Sequence, residues 1–390
     1  MTRRMMIVVP PTVGHVNHGV ALAHSLAEAG HAPVVVTGTK ATEHVRWLRT
    51  SVPVRTFASH DFLTDRRSPH YRSHLEQLCD VEHLVAAVRD QVTVVDELAV
   101  DTIVTKDYFA AVLTAERASL PCLGYYTDGI ESLVETTVRQ TVQDADRLSE
   151  QVNTAATMLG LARRPRPVPD MLRSPTLNLV RGFPETALAD AAAIESVDVP
   201  VAFVGAVTHD APADELQRTI ESIAGLPRPL TYVTFGTVLR DHGRIDTVAR
   251  AARQLPGTVL LALGGAPAPT DPPANLVTTR YMPNSAALSV SDVLVHHGGH
   301  GTMLTALLAG ATQVVAPDNP RTNQRHHGAA LEGLGVGRLL DELTPDRLVE
   351  AVLALREPQP REAAAKLSRQ LGKRSVSLQA QAWDRLAAVG

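Results

Sequence analysis

Short apolar runs recurring at helix-length intervals constrain this chain more than any other feature. In the first half they fall at residues 6–10, 33–37, 101–105 and 122–126, and in the second at 230–235, 258–263, 275–279, 293–296 and 313–316. Most are rich in Val, Ile and Leu without polar alternation, so both faces of each strand need cover. Helical stretches lie between them, among them residues 302–309 and 325–334. After the first run, the turn Thr12-Val13-Gly14-His15 leads into a helix with Val16, Val20, Ala23 and Ala27 on one face, which stops at Gly30. Such alternation specifies an α/β fold whose parallel sheets are covered by helices.

At 390 residues the chain is too long for one ordinary domain and suits two of roughly 150–200. The rhythm breaks between Val204-Gly205 and Pro227-Arg228-Pro229, around the polar stretch Asp210-Ala211-Pro212. The expected division is an N-terminal domain over 1–208, a linker over 209–227, a second domain over 228–360 and C-terminal helices over 361–390 that cross back to the first domain. Residues 59–73 are polar and weakly patterned, either a loop over the first domain's crevice or a solvated connection.

Net charge is −4, from 37 basic and 41 acidic side chains with no Lys/Arg stripe, which argues against nucleic acid or an anionic membrane as partner. Two cysteines, Cys79 and Cys122, make no disulfide framework, and a reducing compartment is the simplest reading. The apolar run near the N-terminus ends at Pro10-Pro11, too short for the core of a signal peptide. No stretch approaches the roughly 18–20 apolar residues that cross a bilayer. The expectation is a cytoplasmic protein without stable membrane association.

The sharpest local signal is Val293-Leu294-Val295-His296-His297-Gly298-Gly299-His300-Gly301-Thr302, followed by an apolar helical run. A strand ends, glycines turn the chain, and a helix opens at a hydroxyl residue. Helix N-termini carry unpaired N–H groups and partial positive charge, which suits a phosphate. Thr302 offers a hydroxyl and His297 a ring donor. The glycine spacing is not the dinucleotide fingerprint, and no Lys follows as in a P-loop. The competing reading is an ordinary helix start with Gly for turning and Thr for capping.

Further segments extend that signal: Tyr232-Val233-Thr234-Phe235-Gly236-Thr237, Arg280-Tyr281-Met282-Pro283-Asn284 and Leu308-Ala309-Gly310-Ala311-Thr312-Gln313, with Val13-Gly14-His15-Val16-Asn17 near the start. In this order they resemble the inverting family-1 nucleotide-sugar glycosyltransferases, particularly the bacterial enzymes that decorate macrolides and other natural products. The likeness covers nearly the whole chain. It implies a GT-B fold, two facing Rossmann-like domains with a cleft between them, the acceptor in the first and the donor in the second. It implies donor contacts from Arg280, Tyr281 and Met282 at the base and from His297, Gly299, His300, Gly301 and Thr302 at the pyrophosphate. Gly14 and Thr237 join the donor set, and Asn323 and Gln324 reach the sugar.

By the same resemblance His15 is the general base, and Asp107, within Thr105-Lys106-Asp107-Tyr108-Phe109, orients it. Both follow expected strands, where open α/β sheets place their ligands. A histidine titrating near neutrality suits removal of a hydroxyl proton, and a carboxylate partner stabilises the imidazolium. The implied reaction moves a (deoxy)sugar from a UDP- or dTDP-sugar to a hydroxyl of a small secondary metabolite, with inversion and without a metal or other cofactor. A homodimer is compatible with the sequence.

Three positions depart from the family pattern. His18 stands where the family has a proline, and Asn323-Gln324 where it has Asp-Gln, with His327 replacing the Asn that follows. Asp318 and Asn319 are alternative sugar contacts. Sixteen histidines invite a metal reading, through His296-His297 and His326-His327 or through His15 and His18. No paired Cys or His-Glu-x-x-His pattern accompanies them, and Asp144-Ala145-Asp146 lies in a helical stretch rather than after a strand. A nucleotide-sugar epimerase of the same fold and a non-catalytic nucleotide-sugar-binding protein are the alternative functions; a nicotinamide dehydrogenase lacks its fingerprint.

Overall fold

The computed structural model describes residues 2–61, 74–106, 108–127, 145–165, 171, 173–184, 197–236, 242–318 and 323–389. The chain forms two compact units, Met1–His209 with Val376–Gly390, and Asp210–Ser375.

The first unit is built on a seven-stranded sheet of β1 (Arg4–Val8), β2 (Ala32–Gly38), β3 (Val54–Phe57), β4 (Thr102–Thr105), β5 (Cys122–Tyr126), β6 (Asn178–Val180) and β7 (Val201–Phe203). Its order is β3-β2-β1-β4-β5-β6-β7, with every pair parallel. Strand alternation sends Met6, Val8, Val36 and Ile103 to one face, against α2 (Val81–Leu98) and α3 (Phe109–Ala118). Met5, Ile7, Val35 and Val104 go to the other, against α1 (Val13–Glu28). Burying both faces explains the uninterrupted apolar runs, each such side chain contributing about 1.5–3 kcal/mol. On α1 the buried face is Val16, Val20, Ala23 and Leu26, while Ala27 is exposed.

The second unit holds β8 (Leu230–Thr234), β9 (Thr258–Ala262), β10 (Leu276–Thr279), β11 (Val293–His296), β12 (Thr312–Val315) and β13 (Gly337–Leu339), in the order β10-β9-β8-β11-β12-β13, again all parallel. Helices α4 (His242–Ala252), α5 (His300–Ala309) and α6 (Asn323–Gly333) follow β8, β11 and β12. The chain runs on as α7 (Pro358–Ala387), starting three residues before the expected C-terminal segment. Ala382 and Leu386, near its end, are fully buried in the core of the first unit.

The structure differs from the sequence reading in several places. The stretch taken as a linker contains the helix Ala213–Ala224, whose Ile223 is buried against Leu230 and Leu260. Strands β3, β6, β7 and β13 were not expected; they have three or four residues each and too little apolar pattern to stand out. Residues 62–73 of the polar loop and Asp144 of the Asp-Ala-Asp pair lie outside the described residues, but His60 at that loop's start is fully buried. Among the described residues no helix is long and apolar enough to cross a membrane.

Candidate donor and base sites

Each sheet has one place where successive connections leave in opposite directions. In the first it lies between β1 and β4, in the second between β8 and β11. Such switch points open a crevice beyond the strand C-termini, where α/β proteins bind ligands. Two clusters of expected site residues follow those strand ends.

In the second unit the register sets Thr234 beside His296, so the turn after β8 and the turn after β11 come together. Gly236 has φ of +79° and Gly298 of +94°, a region that glycine enters freely. The His297 imidazole lies across the gap: a Cβ on Gly236 would stand 3.1 Å from its Cε1, and one on Gly299 would stand 2.7 Å from its Nε2. A Cβ on Gly298 would meet the backbone of Gln324 at 2.8 Å, so α6 closes the other side of the turn. Gly299 is the N-cap of α5 and makes no side-chain cap, so the helix starts at His300, two residues before the Thr302 expected to open it. The glycines let the chain close into helical geometry earlier than a hydroxyl cap would require.

Histidines brace the turn from below. His296 is fully buried, and its Nδ1 accepts the Gly298 N–H at 3.3 Å. His327 donates from Nδ1 to the Gly298 carbonyl at 2.6 Å, and its ring stacks on His300 at 5.2 Å between centroids. Burial, with the charges of His297 and His327, holds His296 well below its usual value. His297 is also lowered, chiefly by burial; Asp318 opposes that shift, while Arg244 and His327 add to it. The buried Nδ1 of His297 has no hydrogen-bond partner among the described residues. Arg244, on α4, lies over the Phe235 ring at 4.5 Å and donates to the carbonyls of Ala316 and Pro317, the latter at 3.0 Å. A neutral imidazole, a helix N-terminus and a fixed guanidinium make this turn suited to a diphosphate.

The remaining expected donor contacts divide. Thr302 is the third residue of α5, and its Oγ1 accepts from the Asn284 amide at 3.3 Å, while Asn284 Oδ1 accepts from the Tyr232 hydroxyl at 2.9 Å. Tyr281 donates to the Asp210 carbonyl at 3.3 Å, and Arg280 is exposed. The Met282 side chain is 9% exposed and packs in the core with Tyr232 and Leu288. Gln324 Oε1 accepts from the Asp318 N–H at 2.9 Å, so those two residues, both considered for the sugar, are paired with each other. Thr237 and Asn319 lie outside the described residues, as does the side chain of Asn323. Among the described residues no three His, Cys, Asp or Glu side chains converge as a metal site would require.

In the first unit His15 is the third residue of α1, just beyond β1, and its Nδ1 lies 2.8 Å from Thr12 Oγ1. Gly14 beside it is exposed, and a Cβ there would meet nothing within 4 Å. His18 meets His15 edge-on, with ring centroids 6.5 Å apart. Arg181, 2% exposed at the end of β6, donates from one guanidinium nitrogen to His18 Nε2 at 2.7 Å and from Nε to the Val207 carbonyl at 2.9 Å. A guanidinium only donates, so His18 Nε2 must accept. Sequence reasoning missed Thr12 and Arg181: one was read as turn, and the other lies 163 residues from its histidine. Asp107 lies outside the described residues, but its neighbours are pinned, the Lys106 N–H to the Val8 carbonyl at 3.2 Å and the Tyr108 N–H to Thr105 Oγ1 at 3.2 Å.

Two parallel-sheet units with a glycine-rich turn after β11 define the fold class, that of the GT-B glycosyltransferases. Residues 254–375 match the family described as the erythromycin biosynthesis protein CIII-like C-terminal domain. The chain is 29% identical over 429 aligned residues to the 4'-demethylrebeccamycin synthase of Lentzea aerocolonigenes, covering 97% of this chain and 98% of that one. Its fold matches the spinosyn forosaminyltransferase SpnP with a TM-score of 0.77 at 18% identity, covering the whole of both chains. It also matches the glycosyltransferase VinC, solved in complex with dTDP, with a TM-score of 0.69 at 17% identity over 98% of this chain and 100% of that one.

Proposed function

We propose that this chain is a metal-independent inverting glycosyltransferase. It would move a sugar from a UDP- or dTDP-sugar to a hydroxyl of a small natural-product acceptor. The observation that carries the reading is the His297 imidazole, wedged between Gly236 and Gly299 at the start of α5 with its Nδ1 buried and unpartnered. A ring held this way awaits an acceptor from outside, and a diphosphate oxygen beside free helix N–H groups supplies one. The dTDP bound to a protein of the same fold supports a nucleoside diphosphate as that ligand.

In this reading the acceptor hydroxyl loses its proton to His15 as its oxygen attacks the anomeric carbon from the face opposite the diphosphate, so configuration inverts. Asp107 orients the imidazole and offsets its growing charge. The diphosphate leaves against the N–H groups of α5 and the His297 ring. Prealigned donors of this kind contribute about 2.7–4 kcal/mol each in the transition state, so losing His297 slows turnover about 100-fold or more.

Thermal-shift titration with UDP, dTDP and their sugars tests the donor half. Stabilisation by one nucleotide, lost in His297→Ala, is the expected result, and no shift with any of them removes the transferase reading. His15→Ala should abolish transfer while nucleotide affinity stays within a few-fold; turnover at the native rate sinks the base assignment. Turnover in excess chelator should equal that in buffer, and a large loss restores a metal-dependent mechanism.

A further inference from the structure

We propose that Asp210 is a positioning residue for the donor base: its carboxylate and its carbonyl together hold residues 281–285 in one shape. This rests on the reading of Arg280, Tyr281 and Met282 as the turn that meets the base. The observation behind it is a helix capped from a distance. The helix Asn284–Leu288 has Pro283 as its N-cap, and that residue makes no side-chain cap. The Ser285 N–H donates instead to Asp210 Oδ2 at 2.9 Å, 75 positions earlier in the chain, and the Ser285 hydroxyl donates to Oδ1. On the other side of Met282-Pro283, the Tyr281 hydroxyl donates to the Asp210 carbonyl at 3.3 Å. All three directions are fixed, because a carboxylate and a carbonyl only accept.

A cap alone would need only the carboxylate. Asp210 adds its carbonyl, so a single residue grips the turn on both sides of Met282, itself buried in the core. Between those grips Asn284 lies 2.9 Å from the Tyr232 hydroxyl and 3.3 Å from Thr302 Oγ1 on α5. The turn that Asp210 holds is therefore fixed relative to the helix whose start suits a diphosphate. A nucleotide must meet both places at once, and a turn free to shift would lose affinity to its own ordering. Asp210 is also the first residue of the second unit, His209 belonging to the first. The chain is thus pinned to the turn at the first residue it contributes to that unit, with no slack segment before it.

Titration calorimetry of the full chain with UDP, dTDP and inorganic pyrophosphate tests the assignment, since only the nucleotides carry a base. In Asp210→Ala the nucleotide dissociation constant should rise roughly fivefold to thirtyfold, the usual cost of a lost cap read as affinity. That of inorganic pyrophosphate should stay at the native value. Asp210→Asn, which keeps an oxygen for the Ser285 N–H, should return most of the lost affinity. Ser285→Ala removes one bond of the three and should weaken the nucleotide less, with the same selectivity; it carries the test if Asp210→Ala does not fold. Nucleotide and pyrophosphate weakened alike would make Asp210 a structural residue only and overturn the assignment. So would nucleotide affinity unmoved in Asp210→Ala, or an Asn variant as weak as the Ala one. A native chain that binds neither UDP nor dTDP removes the donor reading itself, a failure seen before any variant is made.

Discussion

At the scale of single residues, hydrogen-bond direction fixes protonation before any titration is considered. His60 is fully buried; the Gln91 amide donates to its Nε2 at 3.0 Å, so its Nδ1–H must point at Ser59 Oγ, 3.1 Å away, which in turn donates to Asp90. Burial, with the charge of His83, pushes His60 down to about 3, and burial, with His209, pushes His44 down to about 4. Above pH 6.5 these rings are neutral in folded and unfolded chains alike. Below it the unfolded chain takes up protons that the folded rings refuse, so stability falls toward pH 4 by up to about 1.4 kcal/mol per pH unit for each such group. Melting temperatures across a pH series should therefore drop over that window, and His44→Gln should make the drop shallower. An identical slope in the variant would show that His44 is not held neutral by the fold.

At the scale of elements, two glycines in expected ligand turns have opposite roles. Gly298 combines a positive φ with the close approach of the Gln324 backbone, neither of which a Cβ can share. Gly298→Ala should destabilise the chain by more than about 2 kcal/mol and weaken nucleotide binding. Gly14 has open space around its Cβ position and lies in the first turn of a helix. Gly14→Ala should leave stability within about 0.5 kcal/mol, and any loss of activity would come from crowding a bound ligand. Urea unfolding of both variants measures the contrast; equal losses would mean that the turn after β11 relaxes around a side chain.

At the scale of the whole molecule, the chain's end completes the unit that its beginning starts. Leu386 and Ala382, late in α7, are buried with Met5, Ile7 and Val20. Leu386→Ala should cost about 2–5 kcal/mol, as deletions from a packed core do, although it lies four positions before the last residue. A melting temperature unchanged from native would show that these C-terminal residues are not part of that core.

What the sequence determined by itself is whatever depends on neighbours along the chain. Strands β5 and β11 fall on their expected residues, because a doubly buried strand must be apolar throughout. The turn His297 to Thr302 was legible for the same reason: a strand end, glycines and a helix start are local chemistry. Where a helix follows, the boundary shifted to His300, since a glycine N-cap leaves no hydroxyl signature. Sequence position in a motif does not reveal which way a side chain points, and tertiary packing turned that of Met282 inward. Only the folded chain brought Gly236 to His297, Arg181 to His18 and Leu386 to Met5. Those contacts depend on strand register and on helices returning across a sheet, distances that no local pattern encodes, and they decide what a histidine in either crevice can do.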